Sequence, residues 1–219
     1  MNTENPCRLY LISPPVIDLG VFTTQLEEAF KGGDVGSFQL RLKNASDADV
    51  IKAAKTLLPI CHAHQAAFIL NDGPDLAVAC NADGVHIGQD DGEIKKTRAM
   101  LGPDRVIGVS CHDSKHLAME AGEEGADYVA FGAFHPTKSK SPEALAKWGT
   151  PKLDILNWWQ QFMILPCVAI GGITPDNCGA LAKAGADFVA VITAVWEHPK
   201  GPKQAVAEFN QSLQHADRS

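Results

Sequence analysis

Eight short apolar runs rich in β-branched and aromatic residues recur along the chain. They are "RLYLIS" (8–13), "SFQLR" (37–41), "AFILN" (67–71), "GVHI" (84–87), "VIGVS" (106–110), "YVAFG" (128–132), "CVAIG" (167–171) and "FVAVIT" (188–193). Segments of helical spacing or Ala-rich composition lie between them, among them "ADVIKAAKTLLPICHAH", "IKKTRAMLG", "SKHLAMEAGEEGA" and "PDNCGALAKAGA". Several runs are apolar throughout rather than alternating, as strands buried on both faces must be. Eight such strands, each followed by a helix, predict an α/β fold, a single (β/α)8 TIM barrel. The 219 residues fall short of the ~250 typical of that fold but within its range. A doubly wound open sheet would give the same alternation and is the alternative. Punctuation repeats before strands, at "NADGV" (81–85), "GADYV" (125–129) and "GADFV" (185–189). Gly ends the helix there and Asp opens the strand. With no internal linker or low-complexity stretch, one domain over 1–219 is expected, with a short lead (1–7) and a frayed tail (214–219).

Composition narrows the function classes. No apolar run approaches the roughly 20 residues of a membrane span. The start "MNTENPCRLYLIS" lacks the basic-then-apolar pattern of a secretory signal, so a cytoplasmic location is expected. Six scattered cysteines (Cys7, Cys61, Cys80, Cys111, Cys167, Cys178) form no CxxC pair. They are read as reduced, buried fillers rather than zinc ligands or a disulfide framework. A formal charge of −7 argues against a nucleic-acid surface, which needs a basic stripe. An anionic small molecule would have to be held by local positive charge, helix N-termini or a metal.

Parallel strands of a barrel all end on one rim, where active sites are built. Gln39, Arg41 and Lys43 follow the second strand; Asn71 and Asp72 the third; Gln89, Asp90 and Asp91 the fourth. Ser110, Cys111 and His112 follow the fifth, and "HPTKSK" the sixth. Carboxylates therefore follow two neighbouring strands. They are hard oxygen ligands suited to Mg²⁺, and their repulsion is costly without a cation or a shifted pKa. Mg²⁺ takes one or two protein carboxylates and fills its other positions with water and phosphate. Arg41, Lys43 and Lys140 would supply the remaining charge for a polyphosphate. Across the rim, "GGITPDN" sets two glycines at a strand end before a helix that starts near Pro175. Free backbone N–H groups there suit a second phosphate. Two phosphorylated substrates, or one long one, are implied.

Other conspicuous residues receive structural readings. Cys111–His112 suggests a nucleophile and base, but adjacent residues on an extended segment face opposite sides. His86 is read as a hydrogen-bonded core histidine, and His62 and His64 as helix-end residues favoured by the dipole. Trp158–Trp159 are expected to cover the barrel exterior. Self-association into a homo-oligomer stays open, with one of these tryptophans at the interface.

The ordered set "QLRLK" (39–43), "LND" (70–72), "GVHIGQDD" (84–91), "GVSCH" (108–112), "PTKSK" (136–140) and "AIGGIT" (169–174) resembles the thiamine phosphate synthase family, over roughly residues 8 to 196. The resemblance implies that 4-amino-2-methyl-5-(hydroxymethyl)pyrimidine diphosphate is joined to a thiazole phosphate, giving thiamine phosphate and pyrophosphate. It implies contacts to the pyrimidine diphosphate from Gln39, Arg41, Lys43, Asn71, Ser110 and Lys140, and Mg²⁺ on Asp72 and Asp91. Thr137, Ser139, the Gly172 backbone, Ile192 and Thr193 would hold the thiazole phosphate. The implied chemistry is dissociative, with Arg41, Lys43, Ser110 and Lys140 as its catalytic residues and a loop after the sixth strand that is mobile when empty.

The sequence departs from the family's commonest pattern at Gly73, where many relatives have a second Asp. His135, Lys138 and Ser139 lie in a loop that more often reads "FPTTTK", and "VITAVW" (191–196) replaces an "ISAI"-like end. Two rivals follow. A thiazole tautomerase on the same fold would not use the diphosphate and Mg²⁺ half of the site. A non-catalytic thiazole-phosphate binding protein would release no pyrophosphate.

Overall fold

The structure, a computed structural model, describes residues 6–137 and 147–216. Its eight strands are β1 (Arg8–Ile12), β2 (Ser37–Leu40), β3 (Ala67–Asn71), β4 (Gly84–Ile87), β5 (Val106–His112), β6 (Tyr128–Gly132), β7 (Cys167–Ile170) and β8 (Phe188–Val191). All pair in parallel with their sequence neighbours, and β8 returns to β1. The expected (β/α)8 barrel is thus closed, and the open-sheet alternative is excluded. Helices α1 (Leu19–Phe30), α2 (Asp47–Ala63), α3 (Pro74–Cys80), α4 (Ile94–Leu101) and α5 (Lys115–Glu123) follow the first five strands. Helix α6 (Asp154–Phe162) precedes β7, α7 (Pro175–Lys183) follows it, and α8 (Thr193–Trp196) and α9 (Pro202–Gln214) close the chain. Among the described residues no helix is long and apolar enough to cross a membrane.

The strands are apolar throughout because each has two buried faces. In β1, Leu9 and Leu11 pack outward into the layer under the helices, while Tyr10 and Ile12 point into the barrel. Ile69, Tyr128, Ala130, Val168 and Ala190 join them in the apolar part of that interior. The period of two fixes which side chains reach the rim. Gln39 and Arg41 continue the inward register of Ser37, and Ile192 that of Ala190. Trp159 is only 2% exposed, lies edge-on to Phe131 of β6 and donates from Nε1 to the Leu165 carbonyl at 2.7 Å. It covers the barrel's outer face, as the sequence led us to expect.

The repeated Asp before strands has a second task. The Asp83, Asp127 and Asp187 carboxylates accept the N–H groups of Phe68, Ile107 and Cys167 at 2.7, 2.7 and 2.9 Å. Each Asp N–H donates back to the carbonyl of the same residue. One carboxylate per turn therefore ties the start of a strand to its neighbour. His62, in the last turn of α2, bonds the Asp83 carboxylate at 2.9 Å, and His64 stacks on Phe30. These side-chain partners add to the helix-end reading of both histidines.

Candidate active site at the strand C-termini

The acidic side of the rim follows β3 and β4. Asp72 takes a left-handed backbone conformation, φ 64°, and its N–H donates to the His86 carbonyl at 2.9 Å, which locks the turn beside β4. Asp91 caps its own turn, its Oδ2 accepting the Gly88 N–H at 2.7 Å. The two carboxylates come within hydrogen-bond reach of each other. Partial burial of its carboxyl, which disfavours the charged form, raises the Asp72 pKa from an ordinary 3.8 to about 6, with the facing Asp91 adding to the rise. Arg41 and Asn71 oppose it. Asp72, Asp91, Arg41 and Asn71 thus form one cluster. Among the described residues no group of three or more His, Cys, Asp or Glu converges. A cation here would have two carboxylates and take its other ligands from elsewhere, as Mg²⁺ does.

The strand feeding this cluster is braced from β1. The Arg41 N–H donates to Ser13 Oγ at 2.8 Å, and the Lys43 N–H to the Pro15 carbonyl at 2.8 Å. Gln39 is buried in the barrel mouth and Lys43 exposed. Ser110, at the top of β5, bonds His86 Nε2 through its hydroxyl at 2.9 Å and accepts Gln89 Nε2 on its carbonyl at 2.6 Å.

The opposite side of the rim is built from backbone. A cleft of about 350 Å³ is lined by Pro136, Thr137, Gly172, Ile192 and Thr193, with the remainder of the 170–174 and 190–194 segments. It thereby gathers the expected Thr137, Gly172, Ile192 and Thr193. Gly171 and Gly172 have φ of 104° and 60°. A Cβ on Gly172 would lie 2.4 Å from the Pro136 carbonyl oxygen, so this approach of two loops requires glycine. Asn177 fixes the turn, accepting the Thr174 N–H on Oδ1 and donating from Nδ2 to the Gly172 carbonyl, at 2.9 and 3.1 Å. Trp196 donates from Nε1 to the Ile12 carbonyl at 2.6 Å, which pins α8 to the end of β1.

Of the site residues expected from sequence, Ser139 and Lys140 lie outside the described residues, as does the departure at Lys138. Cys111 is fully buried, and burial pushes its thiol up to about 12. It is no nucleophile at neutral pH. Its neighbour His112 stacks on Trp148, ring centroids 4.2 Å apart, beyond a bulge that carries β5 two residues further than expected. Sequence reading did not single out Tyr10 and Tyr128, which the fold joins to His86. It also missed Asn177, although T-x-x-N at the start of a helix follows the capping-box spacing that would have flagged it.

A family model described as thiamine monophosphate synthase matches residues 9–195. A thiamine-phosphate synthase from Rhodospirillum centenum is 53% identical over 94% of this chain and 98% of its own length. Another from Erythrobacter litoralis is 50% identical over 94% and 96%. A solved thiamine phosphate pyrophosphorylase from Pyrococcus furiosus superposes with a TM-score of 0.83 at 30% identity, covering 97% of this chain and 98% of that one. A shared fold, a family match over most of the chain and relatives aligned almost end to end agree: the chain belongs to the thiamine monophosphate synthase family and is a transferase enzyme.

Proposed function

We propose that the enzyme condenses 4-amino-2-methyl-5-(hydroxymethyl)pyrimidine diphosphate with a thiazole phosphate, releasing pyrophosphate. The observation that carries this reading is the pairing, in one barrel mouth, of a carboxylate–arginine cluster with a glycine-lined cleft. Such a mouth suits two anions held by different means. Residues Asp72 and Asp91 fit a resident Mg²⁺, because burial, and after it the facing Asp91, already raises the Asp72 pKa in the protein alone, and a cation between the two carboxylates would offset both. When bound, Mg²⁺ supplies positive charge to the diphosphate.

Arg41 and Lys43 hold the diphosphate oxygens and stabilise the negative charge that grows as pyrophosphate departs. Lys140 adds to them in this reading. Gln39, Asn71 and Ser110 orient the pyrimidine ring. The C–O bond to the methylene carbon breaks with its electron pair going to pyrophosphate, and the aminopyrimidine stabilises the cation left behind. The thiazole nitrogen then forms the new C–N bond with its lone pair. The Gly172 backbone, Thr137, Ser139, Ile192 and Thr193 hold the thiazole phosphate so that this nitrogen faces the carbon. No general base is required.

The test is to incubate the protein with both substrates, with and without Mg²⁺, and to follow thiamine phosphate and pyrophosphate together. Coupled, Mg²⁺-dependent appearance of both is expected. Isomerisation of the thiazole without pyrophosphate release would replace this reading with that of a tautomerase.

A further inference from the structure

Polar side chains are scarce inside an eight-stranded barrel, yet here they form a continuous line beneath the site. Ser37 Oγ donates to the Ala67 carbonyl at 3.3 Å, and its hydroxyl also interacts with that of Tyr10. The Tyr10 and Tyr128 hydroxyls are 3.0 Å apart. Tyr128 Oη lies 2.9 Å from His86 Nδ1, and His86 Nε2 lies 2.9 Å from Ser110 Oγ. The line runs from the base of the barrel at β2 through β1, β6 and β4 to β5. Burial raises both phenol pKa values, which keeps both rings protonated at neutral pH.

Counting protons gives the line a direction. A carbonyl only accepts, so the Ser37 proton goes to Ala67. Tyr10 must then donate to Ser37, and Tyr128 to Tyr10. The single Tyr128 proton is thereby committed, so its oxygen accepts from His86 Nδ1–H. A neutral imidazole with Nδ1 protonated has an acceptor at Nε2, which takes the proton of Ser110. Backbone sterics set this up as well. Gly108 lies under the Tyr128 ring, where a Cβ would come within 2.2 Å of the phenol oxygen, so only glycine lets the phenol lie across β5.

We propose that Tyr10 and Tyr128 are positioning residues which, through the Nδ1–H tautomer of His86, commit the Ser110 hydroxyl proton inward and leave Ser110 Oγ as an acceptor for an N–H of the bound substrate. This rests on the pyrimidine diphosphate reading for the identity of that substrate, whose amino group supplies such an N–H; the direction of the line does not depend on it. Among the described residues neither tyrosine is hydrogen-bonded to Ser110, and Tyr10 is two hydrogen bonds from His86.

The discriminating variant is Tyr10→Phe, which keeps the ring and removes the acceptor for Tyr128. The Tyr128 proton then turns to His86 Nδ1, the ring proton moves to Nε2, and Ser110 presents its own proton outward. Long-range ¹H–¹⁵N correlation spectra of the full-length protein read this directly, the His86 signals being assigned by their loss in His86→Gln. Wild type is expected to show Nδ1–H and Tyr10→Phe to show Nε2–H. Steady-state kinetics should give a fall of roughly tenfold in kcat/KM for the pyrimidine diphosphate, with the KM for thiazole phosphate within about twofold of wild type. If Tyr10→Phe does not fold, Tyr128→Phe, which removes the acceptor for Nδ1–H, should likewise shift the ring from the Nδ1–H form. A wild-type His86 protonated on Nε2 or on both nitrogens would overturn the proposal, as would a tautomer indifferent to Tyr10. Failure of the substrate reading would look different, as absence of thiamine phosphate with the tautomer change intact.

Discussion

In the proposed reading the two sides of the barrel mouth have the same task, holding a phosphate in an acidic protein, and they meet it with different materials. After β3 and β4 the site is made of charged side chains, Asp72, Asp91 and Arg41, whose charges are unbalanced until ligands arrive. After β7 and β8 it is made of main chain, Gly171 and Gly172 in left-handed conformations and a cleft walled by Ile170, Ile173 and Val191. The first arrangement responds to pH and to cations. Among the described residues the second has no titrating group lining it and is defined by shape. A reaction that expels pyrophosphate from one substrate and retains the phosphate of the other suits that division, since charge develops only on the first.

The sharpest way to break this comparison is to neutralise the acidic side. Asp72→Asn keeps a residue tolerant of the left-handed turn and removes the charge. It is expected to lower kcat by roughly 10²–10³-fold while leaving the KM for thiazole phosphate within about twofold. Matched loss of both parameters would show that the sides are not independent. The reciprocal change, Gly172→Ala, forces a Cβ toward the Pro136 carbonyl at φ 60°. Strain of about 1–3 kcal/mol should raise the KM for thiazole phosphate by about tenfold or more and leave the Mg²⁺ dependence as it was. Asn177→Ala loosens the same turn without strain, and an increase of a few-fold in that KM is expected.

The smallest effect is on stability. With its folded pKa near 6 against an ordinary 3.8, Asp72 holds a proton in the folded chain that the unfolded chain releases. Its contribution is therefore present below about pH 4 and lost as pH rises to about 6. Thermal melts of cation-free protein should show a slight fall in Tm across that window, reversed above pH 6 by added Mg²⁺. A Tm that rose across the window in wild type but not in Asp72→Asn would contradict the facing-carboxylate geometry.

How much of this was legible in the sequence follows from distance along the chain. Strands buried on both faces write themselves as apolar runs, and all eight were readable. The rim positions could be named too, because Gln39, Asn71 and Ser110 lie near strand ends, Arg41, Asp72, Gly172, Ile192 and Thr193 one or two positions past one, and Lys43 and Asp91 only three and four beyond. What the sequence could not display were pairings between distant strands. Tyr10 meets Tyr128 across 118 positions and Tyr128 meets His86 across 42, so His86 could be read as a bonded core histidine but its partners could not be named. The bulge that extends β5 to His112 and the stack of that ring on Trp148 depend on β6 and on the segment before α6. The Asp of each "GAD"-like turn was legible as a turn former, whereas its hold on the neighbouring strand's N–H needed the register.

The division of the mouth is tested most directly by calorimetric titration of each substrate alone into wild type and Asp72→Asn, with Mg²⁺ present and with it chelated. Thiazole phosphate should bind with the same affinity in all four cases, and the pyrimidine diphosphate should bind well only to wild type with Mg²⁺. If chelation or Asp72→Asn weakened both substrates equally, the two sides would be one electrostatic site and the division would be wrong.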